Sequence, residues 1–206
     1  RSLIGGYGHD DRVCAYPALM AVLDQKIPDD TVITILTDKE ETGSDGNTGL
    51  NSDYLRYFVA DLAMQEGLEP RHVLSRSACL SADVNAAFDP TFASAYEANN
   101  ASFLNNGVVV TKYTGSGGKS GSNDANAEYV ALVRKIMDDA DVTWQTAELG
   151  KVDVGGGGTI AYLMAKYGMN VIDSGVPVLS MHAPWEIISK ADLYEALKGY
   201  IAFLNA

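Results

Sequence analysis

Short apolar runs and amphipathic helical patterns alternate along the whole chain. The run TVITIL at residues 31–36 is uncharged and rich in β-branched side chains, which predicts a strand buried on both faces. By the same criteria, further strands are predicted at residues 3–4, 72–75, 107–111, 142–146, 170–172 and 176–179. Apolar side chains recur with helical spacing at residues 52–66, 123–139 and 159–167 and again after Ser189.

Residues suited to helix ends support two of these helices. Ser52 is placed to cap the first of them, and Gly67 follows its end, where a left-handed residue is favoured. Ser189 with Asp192 resembles a capping box at the start of the last helix. No internal repeat or linker interrupts the alternation. The pattern therefore predicts an α/β fold, a three-layer sandwich with a mostly parallel central sheet.

Polar residues that suit metal binding or proton transfer follow four of the predicted strands. They are Asp10 and Asp11, Glu40 and Glu41, Asp83, and His182. In open α/β sheets, ligand sites lie beyond the carboxyl ends of the strands. We therefore expect these side chains to converge on one rim of the sheet.

Carboxylates that converge in this way predict bound divalent metal, because burying several like charges together is strongly unfavourable unless cations neutralise them. Carboxylate and imidazole ligands without thiolate suit Zn²⁺, Mn²⁺ or Co²⁺. Of two adjacent glutamates, one can bind metal while its neighbour moves a proton, and a single aspartate can bridge two ions. The residue types thus indicate a centre that activates water for attack on a carbonyl group.

Composition excludes several classes of protein. A chain of 206 residues with 47% hydrophobic and 20% charged residues is typical of one soluble globular domain and argues against disorder. The net charge of −12 opposes binding to nucleic acid or to an anionic membrane, so we predict neither partner. Cys14 and Cys79 are far apart and form no CxxC motif, which favours a reducing compartment, and we predict a cytoplasmic location.

Five motifs occur in order between residues 7 and 186. They are YGHDDRVCA at 7–15, DKEETGS at 38–44, SADVNA at 81–86, KVDVGGGGT at 151–159 and SMHAPWE at 180–186. Together they resemble the aspartyl aminopeptidase family of co-catalytic zinc aminopeptidases, and the bacterial branch in particular. The resemblance implies a zinc-peptidase-like fold and a binuclear metal centre that removes N-terminal residues from peptides.

The resemblance also implies a role for each site residue. Asp10 bridges both metals, Glu41 and His182 hold one of them, and Asp83 holds the other. Glu40 is the general base. The implied cofactor is Zn²⁺, two ions per site in the full-length protein, with Co²⁺ or Mn²⁺ as substitutes.

The chain departs from the family pattern at one ligand. The family's first histidine ligand comes from an upstream His-x-Asp motif, whereas His9, His72 and His182 lie in no such motif. Asp11 takes the position of the family's Asp or Asn partner, and Pro17 falls inside the helix expected after it. Residues 1–206 are therefore expected to be the C-terminal portion of a single catalytic domain, without its upstream half and the inserted oligomerisation domain.

The sequence thus predicts a metallo-aminopeptidase with peptide substrates, a homo-oligomer at full length, and an inactive isolated chain. Two alternatives remain open. One is a noncatalytic assembly or cargo protein on the same scaffold, from which bound metal would distinguish an enzyme. The other is a different binuclear metallohydrolase, a carboxypeptidase or deacylase, from which the preferred end of the substrate would distinguish an aminopeptidase.

Overall fold

The computed structural model describes residues 2–117, 119–151, 153 and 156–206 and confirms the α/β class. Strands lie at Leu3–Gly6 (β1), Ala78–Ser81 (β2), Asn85–Ala86 (β3), Val108–Thr111 (β4), Tyr113–Ser116 (β5), Ser120–Asp124 (β6), Trp144–Thr146 (β7), Asn170–Gly175 (β8), Pro177–Leu179 (β9) and Glu186–Ser189 (β10). α-Helices lie at His9–Asp24 (α1), Tyr54–Gln65 (α2), Pro70–Arg76 (α3), Ala127–Asp139 (α4), Ala161–Ala165 (α5) and Lys190–Leu204 (α6). Short 3₁₀ helices cover Glu40–Thr42, Pro90–Ala95 and Ala98–Asn100. The motif at residues 151–159 lies partly outside the described residues.

Within the described residues, the strands form two four-stranded sheets and one hairpin. The sheet orders are β1-β10-β9-β3 and β2-β8-β4-β7, and β5 pairs with β6. In the sheet β2-β8-β4-β7 two of the three strand pairs are parallel, as expected. In the sheet β1-β10-β9-β3 two of the three pairs are antiparallel. The loop at residues 180–185 between β9 and β10 explains one antiparallel pair, because a parallel crossover needs about a dozen residues or more. This short loop carries His182.

Helices pack on both faces of the strands and give three layers. Along β8, Ile172 belongs to one apolar core and its neighbour Val171 to a second core on the opposite face. Helices α1, α4 and α6 supply the first core, with the buried residues Val13, Cys14, Ala21, Tyr129, Val133, Met137, Ala196 and Tyr200. Helices α2, α3 and α5 supply the second, with Leu55, Val59, Leu74, Ala161, Leu163 and Met164.

Two of the predicted strands are wrong. Residues 72–75 belong to helix α3, because Pro70 occupies the first turn, where its fixed φ suits a helix, and Val73 N–H donates to the Glu69 carbonyl at 3.2 Å. Residues 31–36 form no strand, since nothing in the described part of the chain pairs with them. Its apolar side chains remain partly exposed, with Ile35 at 41% and Leu36 at 56%.

The helix boundaries follow their capping residues. In α6, Ser189 accepts the Ala191 N–H at 3.2 Å as expected, but Asp192 is fully buried and binds the backbone of residues 105 and 107 instead of closing a capping box. Helix α4 begins later than predicted, because Asn126 caps it and residues 120–124 form β6. Pro17 is buried inside α1, which continues through it.

No helix of the described residues is both long and apolar enough to cross a membrane.

Candidate metal centre

The first pair of carboxylates lies at the junction of β1 and α1. Asp10 and Asp11 belong to the first turn of α1, but Asp10 has φ −72° and ψ 114°, outside the helical region, and its peptide bond to Asp11 is cis. Gly8 precedes them with a left-handed φ of 74°, which glycine adopts without steric cost. The Asp10 side chain is only 5% exposed. This irregular helix start therefore presents two adjacent, largely enclosed carboxylates at the end of β1.

The second pair lies on the single 3₁₀ turn Glu40–Thr42. Left-handed residues flank the turn on both sides, Lys39 with φ 65° and Gly43 with φ 99°. Successive side chains on a 3₁₀ helix project about 120° apart, so adjacent residues have different neighbours. Accordingly, Glu40 is half-buried while Glu41 is exposed.

Two further side chains come from the ends of other strands. Asp83 follows β2, and its Oδ1 accepts the N–H of Val84 at 2.7 Å. His182 lies in the loop between β9 and β10 with a left-handed φ of 65°, and its side chain is 62% exposed. Both residues thus lie beyond the carboxyl ends of their strands.

Possible ligand atoms of these residues converge in three overlapping groups. His182 Nε2 lies 3.0 Å from Asp10 Oδ2 and 3.2 Å from Glu41 Oε1. Within each group, one possible ligand atom from every residue lies within 4.8 Å of those of the other two. The first group is Asp10, Glu41 and His182, and the second is Asp10, Asp11 and Asp83. The third is Asp11, Glu40 and Glu41. Asp10 is therefore shared by the group that contains the imidazole and the group that contains Asp83. The structure brings together all the residues that the sequence singled out.

The crowding of carboxylates opposes their negative charge. Burial, hydrogen bonding to Asp11 and repulsion from Asp11 and Glu41 raise the pKa of Asp10 to about 9. Burial and the same two neighbours raise the pKa of Glu40 to about 7. Burial and Asp11 also hold the pKa of Asp83 well above its usual range. Without a cation, the site therefore favours protonated carboxyl groups.

We expect the metal-free protein to lose stability as pH rises from about 4 to about 9. Because the folded-state pKa values of Asp10 and Glu40 lie above their ordinary values, the folded state binds more protons in this window. Their contribution is complete below the ordinary values and is lost as pH rises through about 7 for Glu40 and about 9 for Asp10. Thermal unfolding of chelated protein across this range tests the sign, and a melting temperature that rises steadily with pH would contradict it.

The residues fit a divalent cation. A cation would offset the repulsion among the carboxylates, and their oxygens with one imidazole nitrogen form a donor set that zinc accepts. Asp11 Oδ1 is buried with no hydrogen-bond partner among the described residues, which leaves an acceptor free for such an ion. His9 Nε2 is also buried with no hydrogen-bond partner in the described part of the chain, yet His9 belongs to none of the three groups.

One buried carboxylate beside the centre was missed by the sequence analysis. Glu186, at the start of β10, accepts backbone N–H groups of both Asp10 and His182. The available signal was its position, four residues after His182 in the motif at residues 180–186. That signal is weak because a glutamate near a strand is most often on the surface, and only the fold shows that Glu186 is buried.

The three-layer fold and the acid–imidazole cluster beyond its strand ends define an α/β protein with a candidate metal centre. The model of one family, the aminopeptidase I zinc metalloproteases (M18), matches residues 1–204. The chain belongs to this family of zinc metalloproteases. This confirms the family resemblance that the five motifs indicated.

Bacterial relatives are similar over the whole chain. A probable M18 family aminopeptidase 1 of Clostridium acetobutylicum is 56% identical over 209 residues, covering 100% of this chain and 45% of that protein. The crystal structure of aminopeptidase I from the same organism matches with a TM-score of 0.93 at 56% identity, over 100% of this chain and 45% of that one. An M18 aminopeptidase structure from Thermotoga maritima matches with a TM-score of 0.94 at 45% identity, over 99% and 46%. The chain thus spans about half the length of the relatives it matches.

Proposed function

We propose that this chain supplies the general base and most of the metal ligands of a metallo-aminopeptidase, which hydrolyses N-terminal residues from peptides. The observation that carries the proposal is the position of Asp10. It lies in one group with Glu41 and His182 and in another with Asp83, as a residue that bridges two ions must. Membership of a zinc metalloprotease family supports zinc as the ion.

The ligands divide naturally between two ions. Glu41, His182 and Asp10 would hold the first, and Asp83 together with Asp10 would contribute to the second. We propose two zinc ions per site at full length, with Co²⁺ or Mn²⁺ able to replace them, because the same oxygen and nitrogen donors suit all three. When bound, the ions would polarise the substrate carbonyl and lower the pKa of the attacking water.

Glu40 is the proposed proton carrier. It lies in the group with Asp11 and Glu41, and its environment raises its pKa to about 7, close to the value that suits a base working near neutral pH. Glu40 would accept a proton from the attacking water and donate it to the amine that leaves. Its neighbour Glu41 lies beside His182 and would bind metal. One glutamate would thus move the proton while the other holds the ion.

The substrate's end tests the function most simply. In an aminopeptidase the free α-amine faces the cluster of carboxylates, which attracts a cation. We expect the full-length protein to hydrolyse a peptide with a free N-terminus and to leave its N-acetylated twin intact. Equal cleavage of both at the C-terminus would favour a carboxypeptidase, and removal of the acetyl group from the N-acetylated twin alone would favour a deacylase. No hydrolysis by protein that also binds no metal would favour the noncatalytic alternative.

The second ion has too few ligands in this chain. Of the proposed ligands, Asp10 and Asp83 lie on its side, and within the described residues no imidazole other than His182 reaches a group of ligand atoms. We propose that residues 1–206 form the C-terminal portion of one catalytic domain, and that the full-length protein supplies a further histidine, forms a homo-oligomer and works in the cytoplasm. The partly exposed apolar side chains of residues 31–36 support contact with further polypeptide.

This division predicts the behaviour of the isolated chain. We expect it to bind at most one zinc ion tightly and to show negligible peptide hydrolysis, because two carboxylates alone bind divalent ions weakly and two-metal activation is lost. Zinc stoichiometry by titration and peptide turnover should be measured beside the full-length protein. Two tightly bound ions together with full activity would show that no outside ligand is needed.

A further inference from the structure

Glu186 is one of the most completely buried polar side chains in the described part of the molecule. It is 2% exposed and begins strand β10, where it pairs in register with Gly6 at the end of β1. Its position is therefore next to the irregular turn that leads to Asp10. The same residue also closes the short loop at residues 180–185 that carries His182.

The two carboxylate oxygens of Glu186 have separate partners. Oε2 accepts the N–H of Asp10 at 3.2 Å, and Oε1 accepts the N–H of His182 at 2.9 Å. Both partners have irregular backbones, because Asp10 has a non-helical ψ of 114° and His182 a left-handed φ of 65°. One side chain thus fixes the main chain of two residues that lie on different loops.

No ion pair to Glu186 occurs within the described residues, so backbone amides are the contacts that the structure gives it. Burying a carboxylate is energetically unfavourable, and here its hydrogen bonds to backbone amides are what offset that penalty. Its two acceptors are both directed to residues whose side chains meet at 3.0 Å. The arrangement therefore matches that of a side chain that orients metal ligands from behind.

We propose that Glu186 is a positioning residue, which holds the backbones of Asp10 and His182 so that both side chains face one metal ion. The inference rests on the proposed function, since it requires a metal at this site. Removing the outer hydrogen-bond partner of a metal ligand typically lowers metal affinity about 10–100-fold. Glu186 has this effect on the ion shared by Asp10, Glu41 and His182.

The test is Glu186→Gln in the full-length protein. Glutamine has nearly the same shape, but one acceptor oxygen becomes an NH₂ group that cannot accept an N–H, so one of the two loops is released. We expect the dissociation constant for zinc, measured by competition with a chelating dye, to rise about 10–100-fold. The control is Asp192→Asn, because Asp192 is also buried and accepts two backbone N–H groups, from Asn105 and Gly107 at 2.8 Å each, away from the site. Zinc affinity of this control should match that of the unchanged protein.

A second variant covers the case in which Glu186→Gln does not fold. Glu186→Asp keeps the charge but withdraws the carboxylate by one methylene group, and we expect it to weaken zinc binding in the same direction. Wild-type zinc affinity in a folded Glu186 variant would overturn the positioning role and leave the metal centre intact. An equal loss in Asp192→Asn would also overturn it, by showing general destabilisation. If the protein without substitutions binds no zinc, both the proposed function and this inference are overturned. If zinc binds and its affinity depends on Glu186 but no peptide is hydrolysed, only the proposed function is overturned.

Discussion

Replacing Glu40 by glutamine is expected to lower kcat for peptide hydrolysis about 10²–10⁴-fold while leaving the metal content of the full-length protein unchanged. The amide has the shape of the carboxylate but cannot take up the proton of the attacking water. Glu41 Oε1 lies 3.2 Å from the ligand nitrogen His182 Nε2. Glu40 instead belongs to the group with Asp11 and Glu41, which does not contain His182. Loss of turnover without loss of metal is therefore the signature of a base.

The adjacent residue provides a matched comparison. Glu41→Gln changes the same chemical group one position along the same 3₁₀ turn, but it should reduce metal binding as well as turnover. The exposed Glu66, at the end of α2, serves as a neutral control, and Glu66→Gln should leave both quantities unchanged. Near-normal turnover in Glu40→Gln would contradict its role as base, and identical metal loss in Glu40→Gln and Glu41→Gln would make both residues ligands.

Replacing Asp10 by alanine is expected to remove both tightly bound ions at once. Asp10 is the residue shared between the group with Glu41 and His182 and the group with Asp83, so its loss takes a ligand from each ion. His182→Ala should instead weaken chiefly the ion shared with Glu41. Metal content after dialysis against a weak chelator distinguishes the two variants. Two equivalents still bound tightly in Asp10→Ala would refute the bridging role.

Several features of the fold followed from local chemistry. The capping serine at position 189 and the apolar stripe after it located α6, since both the cap and the buried face are encoded within a few residues. The run of three valines at residues 108–110 located β4, because a short, uncharged, β-branched run is typical of a buried strand. Positions after strands located Asp10, Asp83 and His182, because in α/β sheets the carboxyl ends of strands lie along one edge. Glu40 and Glu41 were expected after a strand at residues 31–36, and they join the site although the described structure has no strand there.

The features that sequence could not supply depend on distant partners. Residues 31–36 carry the composition of a buried strand, yet a strand also needs a neighbour for its hydrogen bonds, and the described residues provide none. Residues 72–75 have strand-like side chains, but Pro70 and its local hydrogen bonds start a helix. The link from Glu186 to Asp10 spans 176 residues, and only the pairing of β1 with β10 brings the two together.

If this cluster works as a metal-dependent peptidase centre, removing and then restoring the metal must abolish and then restore peptide hydrolysis. The full-length protein should be stripped with a chelator, and hydrolysis of a peptide with a free N-terminus should be followed while zinc is added back and bound zinc is counted. Turnover should disappear with the metal and return as zinc rises to two equivalents per chain, because both proposed ions share Asp10. Undiminished hydrolysis by protein that has been shown to contain no metal would contradict it.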